Sequence, residues 1–231
     1  MGTVQTFCFE PFLNHKYYYD VCDEGLIFRP YEGEKLDIKW ADIDYLQNNP
    51  NRRVEVYFNG REDPVPIYYD TDEFNILLKM ICDKLAAIHG EVFQSQEFKA
   101  STSYFVHITF FLFLSLAIII FGIEYNSKVL LAVSALFFIL GIHLMNRPLS
   151  ILLSEKNFLI RNFLFKKVVK YSDIKGLDFK LVGHEYSTFL AINIQLINGK
   201  KFKIQRFNNI ILCYIFLTSA RKNVAAYGIE G

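Results

Sequence analysis

Ser103 to Ile123 reads SYFVHITFFLFLSLAIIIFGI, 21 residues without a formal charge. A bilayer's hydrocarbon core of about 30 Å takes roughly 20 residues at the helical rise, so this run is long enough to span one. A second run, Val129 to Met145, follows after only Glu124-Tyr125-Asn126-Ser127-Lys128. A linker that short forces an antiparallel helical hairpin, with segments at 103–123 and 129–146. Two buried core helices of a soluble domain are the plainer alternative. Long apolar faces on every side disfavour it, because a surface helix of a small domain carries one apolar stripe. A mean hydropathy of +0.19 with 21% charged residues also excludes a disordered chain.

The flanks suggest an orientation. Met1 to Cys22 holds Glu10, Pro11, His15, Lys16 and Asp20 and has no continuous apolar core, unlike a signal peptide. Lys99 and Arg147 flank the open end of the hairpin, a modest positive-inside bias. The expectation is an integral membrane protein with both termini cytoplasmic. Cys8, Cys22, Cys82 and Cys213 lie far apart, which fits free thiols in a reducing compartment better than disulfides or a metal site.

The segments on either side of the hairpin overlay one another. Glu24-Gly25-Leu26-Ile27-Phe28-Arg29 resembles Lys156-Asn157-Phe158-Leu159-Ile160-Arg161, and Trp40-Ala41-Asp42-Ile43 matches Tyr171-Ser172-Asp173-Ile174. Val54 to Gly60 parallels Ile192 to Gly199, each ending in Asn-Gly, with one extra residue in the second. Matching offsets of this kind indicate duplication. Each copy reads as a bent antiparallel sheet closed by one helix. The first helix is expected to start at Asp70, with Glu73 in a capping-box position. Its stripe is Phe74, Leu77, Leu78, Ile81, Leu85 and Ile88. The second runs from about Asn209 to Asn223, apolar nearly all round.

Several strands, an aromatic-Xaa-Asp-Ile turn and one C-terminal helix resemble the bacterial pleckstrin-homology-like domain, and the arrangement is similar to membrane proteins of that family. The resemblance covers roughly residues 12–90 and 148–223. It implies an α+β protein of a bacterial inner membrane with two such domains, 1–95 and 147–224, separated by a transmembrane hairpin. It further implies a binding or assembly scaffold without enzyme activity. The early turn Asp23-Glu24-Gly25 is acidic where phosphate recognition needs Lys or Arg, so phosphoinositide binding by the first copy is not implied.

Charge divides the copies. Residues 1–95 hold 9 Lys and Arg against 17 Asp and Glu, whereas residues 147–231 hold 14 against 5. Opposite copies attract each other, and a basic copy tethered beside a bilayer gains about 1 kcal/mol per Lys or Arg near anionic lipid. Lys166, Lys167, Lys170, Lys175, Lys200, Lys201, Lys203 and Arg206 are the lipid-headgroup candidates. The plainer reading of each is a solvated strand edge. Asp23, Glu24, Asp42 and Asp44 with Trp40 are the candidate face for a protein partner or a second copy, with Tyr17-Tyr18-Tyr19 as further anchors. Nucleic acid is not expected, for want of an aromatic stacking platform.

His107 and His143 fall at similar depth near the cytoplasmic end of the two spans. An intramembrane polar pair there suits an interfacial anchor better than a proton relay. No phosphate loop, GxGxxG, HExxH or GxSxG is present, Asp42-Xaa-Asp44 sits at a structural turn, and His184-Glu185 lacks a second His at helical spacing. The expectation is therefore a non-enzymatic scaffold with no cofactor and no metal. Two alternatives are a membrane immunity protein that neutralises a toxin and a subunit of a small oligomeric channel.

Overall fold

Period-two alternation builds the strands. Val54, Val56 and Phe58 are buried in one strand, and Ile192, Ile194 and Leu196 are buried in its counterpart. The computed structural model describes residues 4–12, 15–49, 51–88, 96–145, 147–183 and 188–227, so His184-Glu185 and Gly90, the expected stop of the first closing helix, lie outside the described residues. The first unit opens with β1 (Gln5–Phe12), β2 (His15–Val21), β3 (Gly25–Arg29) and β4 (Leu36–Lys39), an antiparallel sheet in that order. A 3-10 turn at Trp40–Asp42 leads to a second sheet of β5 (Ile43–Asn49), β6 (Arg53–Phe58) and β7 (Val65–Tyr68). Helix α1 (Phe74–Ile88) closes the unit.

The second unit repeats this order around an insertion. Strand β8 (Gln96–Lys99) precedes α2 (Thr102–Glu124) and α3 (Lys128–Met145). After the helices come β9 (Ser150–Leu153), β10 (Asn157–Arg161), β11 (Lys166–Lys170) and a 3-10 turn at Tyr171–Asp173. The unit ends with β12 (Ile174–Val182), β13 (Phe189–Leu196), β14 (Lys201–Gln205) and α4 (Ile210–Tyr227). The second sheet therefore does not begin at 147. Gln96 to Lys99 pairs residue by residue with Leu153 to Ser150, so the helical hairpin is inserted between the first two strands of the second unit. The strand lies outside the 147–224 expectation because four residues before a long apolar run carry too weak a pattern to be noticed.

The repeat extends to single hydrogen bonds. In the first unit the Trp40 indole N–H donates to the Cys22 carbonyl at 3.1 Å, and the Cys22 thiol donates to the Gly25 carbonyl at 3.0 Å. In the second, the Tyr171 hydroxyl donates to the Ser154 carbonyl at 2.8 Å, and the Ser154 hydroxyl to the Asn157 carbonyl at 2.7 Å. The carbonyls of Asp42 and Asp173 each accept at 2.9 Å, from the N–H of Asn59 and of Ile197. The aromatic-Xaa-Asp-Ile signature is thus a fold device: the aromatic pins the preceding turn, the Ile enters the core, and the Asp backbone anchors the end of the facing strand. Gly25 belongs to it, since a Cβ there would meet the Ile38 carbonyl oxygen at 2.1 Å.

Helix α1 starts at Phe74, four residues later than the capping-box reading. The Asp70 carboxylate is taken by Arg52 at 2.9 Å, Asp72 N–H is tied to the Cys8 carbonyl, and Glu73 has a φ of 49°. Phe74, Leu77, Leu78, Ile81 and Leu85 are buried as expected, while Ile88 is exposed. In α4, Ile210, Cys213, Tyr214 and Leu217 fall at the same spacing as Phe74, Leu77, Leu78 and Ile81, and all are buried.

The two closing helices pack on each other, and each also packs on the other unit: α1 on β12 and α4 on β5. Tyr214 lies at this junction. Its ring stacks on Phe179 at 4.1 Å, its hydroxyl donates to the Leu177 carbonyl, and the Lys79 ammonium of α1 reaches that hydroxyl at 3.4 Å. A single hydrophobic core runs through both units.

The helical hairpin stands apart in its packing. Ile108, Ser115 and Gly122 of α2 and Ser134 and Gly141 of α3 are its buried positions, spaced by seven, the period of a left-handed supercoil. Ser115 Oγ donates to the Ser134 carbonyl at 3.1 Å across the seam. A Cβ on Gly141 would meet Leu112 at 2.8 Å, so small residues set the close approach. Outside the seam the apolar side chains are exposed, Phe113 by 71% and Val129 by 72%. Both helices are long enough and apolar enough to cross a membrane.

Candidate functional site

Register identifies which end of the second unit the helices leave from. Lys99, Ser150, Arg161 and Lys166 form one row across β8, β9, β10 and β11. Lys99 ends the strand before α2, and Ser150 opens the strand after α3, so this row is the helix-exit end of the sheet. The second sheet turns the same way: the Ser101 N–H donates to the Arg206 carbonyl at 2.7 Å, and Ala100 bridges Phe207.

The eight basic candidates do not form one patch. Lys166 and Arg206 lie at the helix-exit end. Lys203 sits in mid-strand and is near enough to Arg147, just past α3, to feel its charge. Lys167 faces inward instead, with its ammonium 4.2 Å above the Phe202 ring. Lys170, Lys175, Lys200 and Lys201 lie at the opposite end, beside the Tyr171–Asp173 turn and the β13–β14 turn that hydrogen-bonds to it. Lys170, Lys175 and Lys201 suit the edge-protection reading, since β11, β12 and β14 are edge strands of their sheets, and Lys200 lies in the turn beside them.

What the exit end gains is three cations that sequence reasoning did not select as site residues, Arg147, Arg161 and Lys180. Arg147, Lys180 and Lys203 come close enough that the last feels the other two. Partial burial, then Lys180, then Arg147, pull the Lys203 ammonium below its ordinary pKa. Arg161 joins them through the row above. Lys180 was legible only as an outward position in β12; its proximity to Arg147 depends on where the chain emerges from α3. Among the described residues, the ion pairs all lie between residues 10 and 99, and Arg147, Arg161, Lys166, Lys180 and Lys203 stand in none of them.

The acidic candidates have structural duties. Asp23 pairs with Lys84 at 2.8 Å, and the Asp44 carboxylate accepts the Gly60 N–H at 2.9 Å. Trp40 is only 4% exposed and serves as the pin described above, so it offers no anchor to a partner. Tyr19 is likewise buried, its hydroxyl donating to the Pro66 carbonyl at 2.7 Å. Glu24 remains exposed beside the Trp40–Asp42 turn, and Asp42 is half-buried within it.

His107 and His143 are both exposed, outside the buried positions of the seam. Among the described residues no three His, Cys, Asp or Glu side chains converge as metal ligands would. Burial pushes the Cys82 and Cys213 thiols well up, which makes both poor nucleophiles. Neither a family model nor a curated protein matches this chain.

Proposed function

We propose that the chain is a non-enzymatic membrane scaffold: two pleckstrin-homology-like units locked into one body, held to a bilayer by the α2–α3 hairpin. Four strands, a 3-10 turn, three strands and a closing helix, repeated twice, support the domain assignment. The hairpin's exposure separates it from a soluble core, where helices this apolar would be covered. In this reading the helix-exit end faces anionic headgroups through Arg147, Arg161, Lys166, Lys180 and Lys203. The acidic unit, farther out, presents Glu24 and its neighbours to a protein partner or to a second copy. The observation that carries the reading is the gathering of cations in no ion pair among the described residues, where an exposed apolar hairpin emerges.

Extraction of the full chain with its lipid shell from native membranes tests both halves. Anionic lipid should co-purify and fall away in Arg147→Gln/Lys180→Gln/Lys203→Gln. A stoichiometric protein should be lost in Glu24→Gln/Asp42→Asn. Equal lipid in wild type and the triple variant would sink the headgroup role, and recovery of the monomer alone would sink the partner role.

A further inference from the structure

The turn between β10 and β11 is Asn162-Phe163-Leu164-Phe165. Asn162 is buried, and its side-chain oxygen accepts the N–H groups of Leu164 and Phe165 at 3.0 and 2.7 Å, while its own N–H donates to the Phe165 carbonyl at 3.0 Å. That clamp fixes the turn and turns three large apolar side chains outward: Phe163 is 46% exposed, Leu164 61% and Phe165 51%. A soluble surface has no use for such a tip, which marks a contact with something apolar.

Its position names the contact. The turn projects beyond the Lys99–Ser150–Arg161–Lys166 row, away from the sheet and on the side where α2 and α3 leave. The Phe163 ring packs edge-on against Phe105 at 6.0 Å, and Phe105 is the first residue of the span in α2 that is apolar enough to cross a membrane. The tip is therefore continuous with the exposed apolar surface of the hairpin and level with its beginning. Arg161 and Lys166, exposed on either side, stand where lipid phosphates would lie above an inserted tip.

We infer that Phe163, Leu164 and Phe165 form a wedge inserted into the same leaflet from which the hairpin emerges, holding the second unit against the bilayer. This rests on the membrane reading above and adds a second point of attachment. Two attachments, the hairpin and the wedge, stop the rigid body from swinging about its helical tether.

Depth-dependent fluorescence quenching on the full chain tests it, in phosphatidylcholine–phosphatidylglycerol vesicles with bromines placed at chosen depths. Leu164→Trp and Phe113→Trp are compared with wild type, whose buried Trp40 sets the baseline. Phe113→Trp should be quenched most by deep bromines, and Leu164→Trp by shallow ones, about 5–10 Å below the headgroup boundary. If Phe113→Trp is quenched and Leu164→Trp behaves like wild type, the hairpin spans but the wedge is wrong. Blue-shifted but unquenched emission from Leu164→Trp would mean that protein covers the tip, which also overturns it. If neither is quenched, the membrane reading fails and the wedge fails with it.

Discussion

The turns after β3 and β10 occupy the same place in the two units and share almost no chemistry. The first, Pro30-Tyr31-Glu32-Gly33-Glu34-Lys35, is acidic; the second, Asn162-Phe163-Leu164-Phe165, is apolar and followed by Lys166-Lys167. The strands, pins and helix stripes around them are the same. The two units share the pattern of their cores and differ at their surfaces, and the difference has a direction. The unit that carries the hairpin has apolar and cationic groups at its helix-exit end, whereas the other satisfies much of its charge internally, as in Arg29–Asp20, Arg52–Asp70 and Lys84–Asp23.

The largest expected effect would break the claim that both units share a core. Tyr214→Ala removes a fully buried ring at the α1–α4 junction and should cost about 3–5 kcal/mol. Thermal unfolding in detergent should show one transition moved down as a whole, because α4 packs on β5 of the other unit. Two transitions, only one of them shifted, would mean the units are independent.

A smaller effect sharpens the contrast in charge. Lys180→Gln and Lys203→Gln should each weaken association with anionic lipid by about 1 kcal/mol, an effect that high salt abolishes. Lys35→Gln in the first unit, whose lysine is paired with Asp37, should change nothing. Equal losses at all three positions would remove the distinction between the units. The two pins compare at a similar scale: Tyr171→Phe deletes the hydrogen bond to Ser154 and should lower stability by about 1 kcal/mol without altering lipid association. A change in lipid association would show that the pin does more than hold its turn.

The repeat and the hairpin were legible because both are written in local patterns: an aromatic-Xaa-Asp-Ile turn at matching offsets, or 21 uncharged residues in a row. The sites were not, because they depend on which end of a strand faces the helices. Lys166 and Lys170 alternate identically in sequence, yet register places one beside Arg161 and the other opposite Asn157, at the far end. Trp40 looked like an anchor since an aromatic beside acidic residues suits an interface. Only the Cys22 carbonyl within reach of its N–H shows that it belongs to the core. β8 was missed because its partner strand lies beyond two helices, and no local signal links Gln96–Lys99 to Ser150–Leu153.

The smallest effect separates the units by pH. Glu55 sits on the strand face expected to be open, yet it is buried beneath Asn49, Arg53 and Tyr57, whose side chains donate to it at 3.0, 2.8 and 3.2 Å. Burial alone would raise its carboxyl, but those hydrogen bonds outweigh burial and hold it below its ordinary pKa. A depressed folded-state pKa contributes stability above the unfolded value and loses it as pH falls through the folded one. Asn193 takes the matching place in the second unit and carries no such charge. Unfolding followed from about pH 7 to pH 3 should therefore show an acid-side loss in wild type that is shallower in Glu55→Gln. An unaltered slope in Glu55→Gln would place the acid sensitivity elsewhere, among the exposed pairs of the first unit.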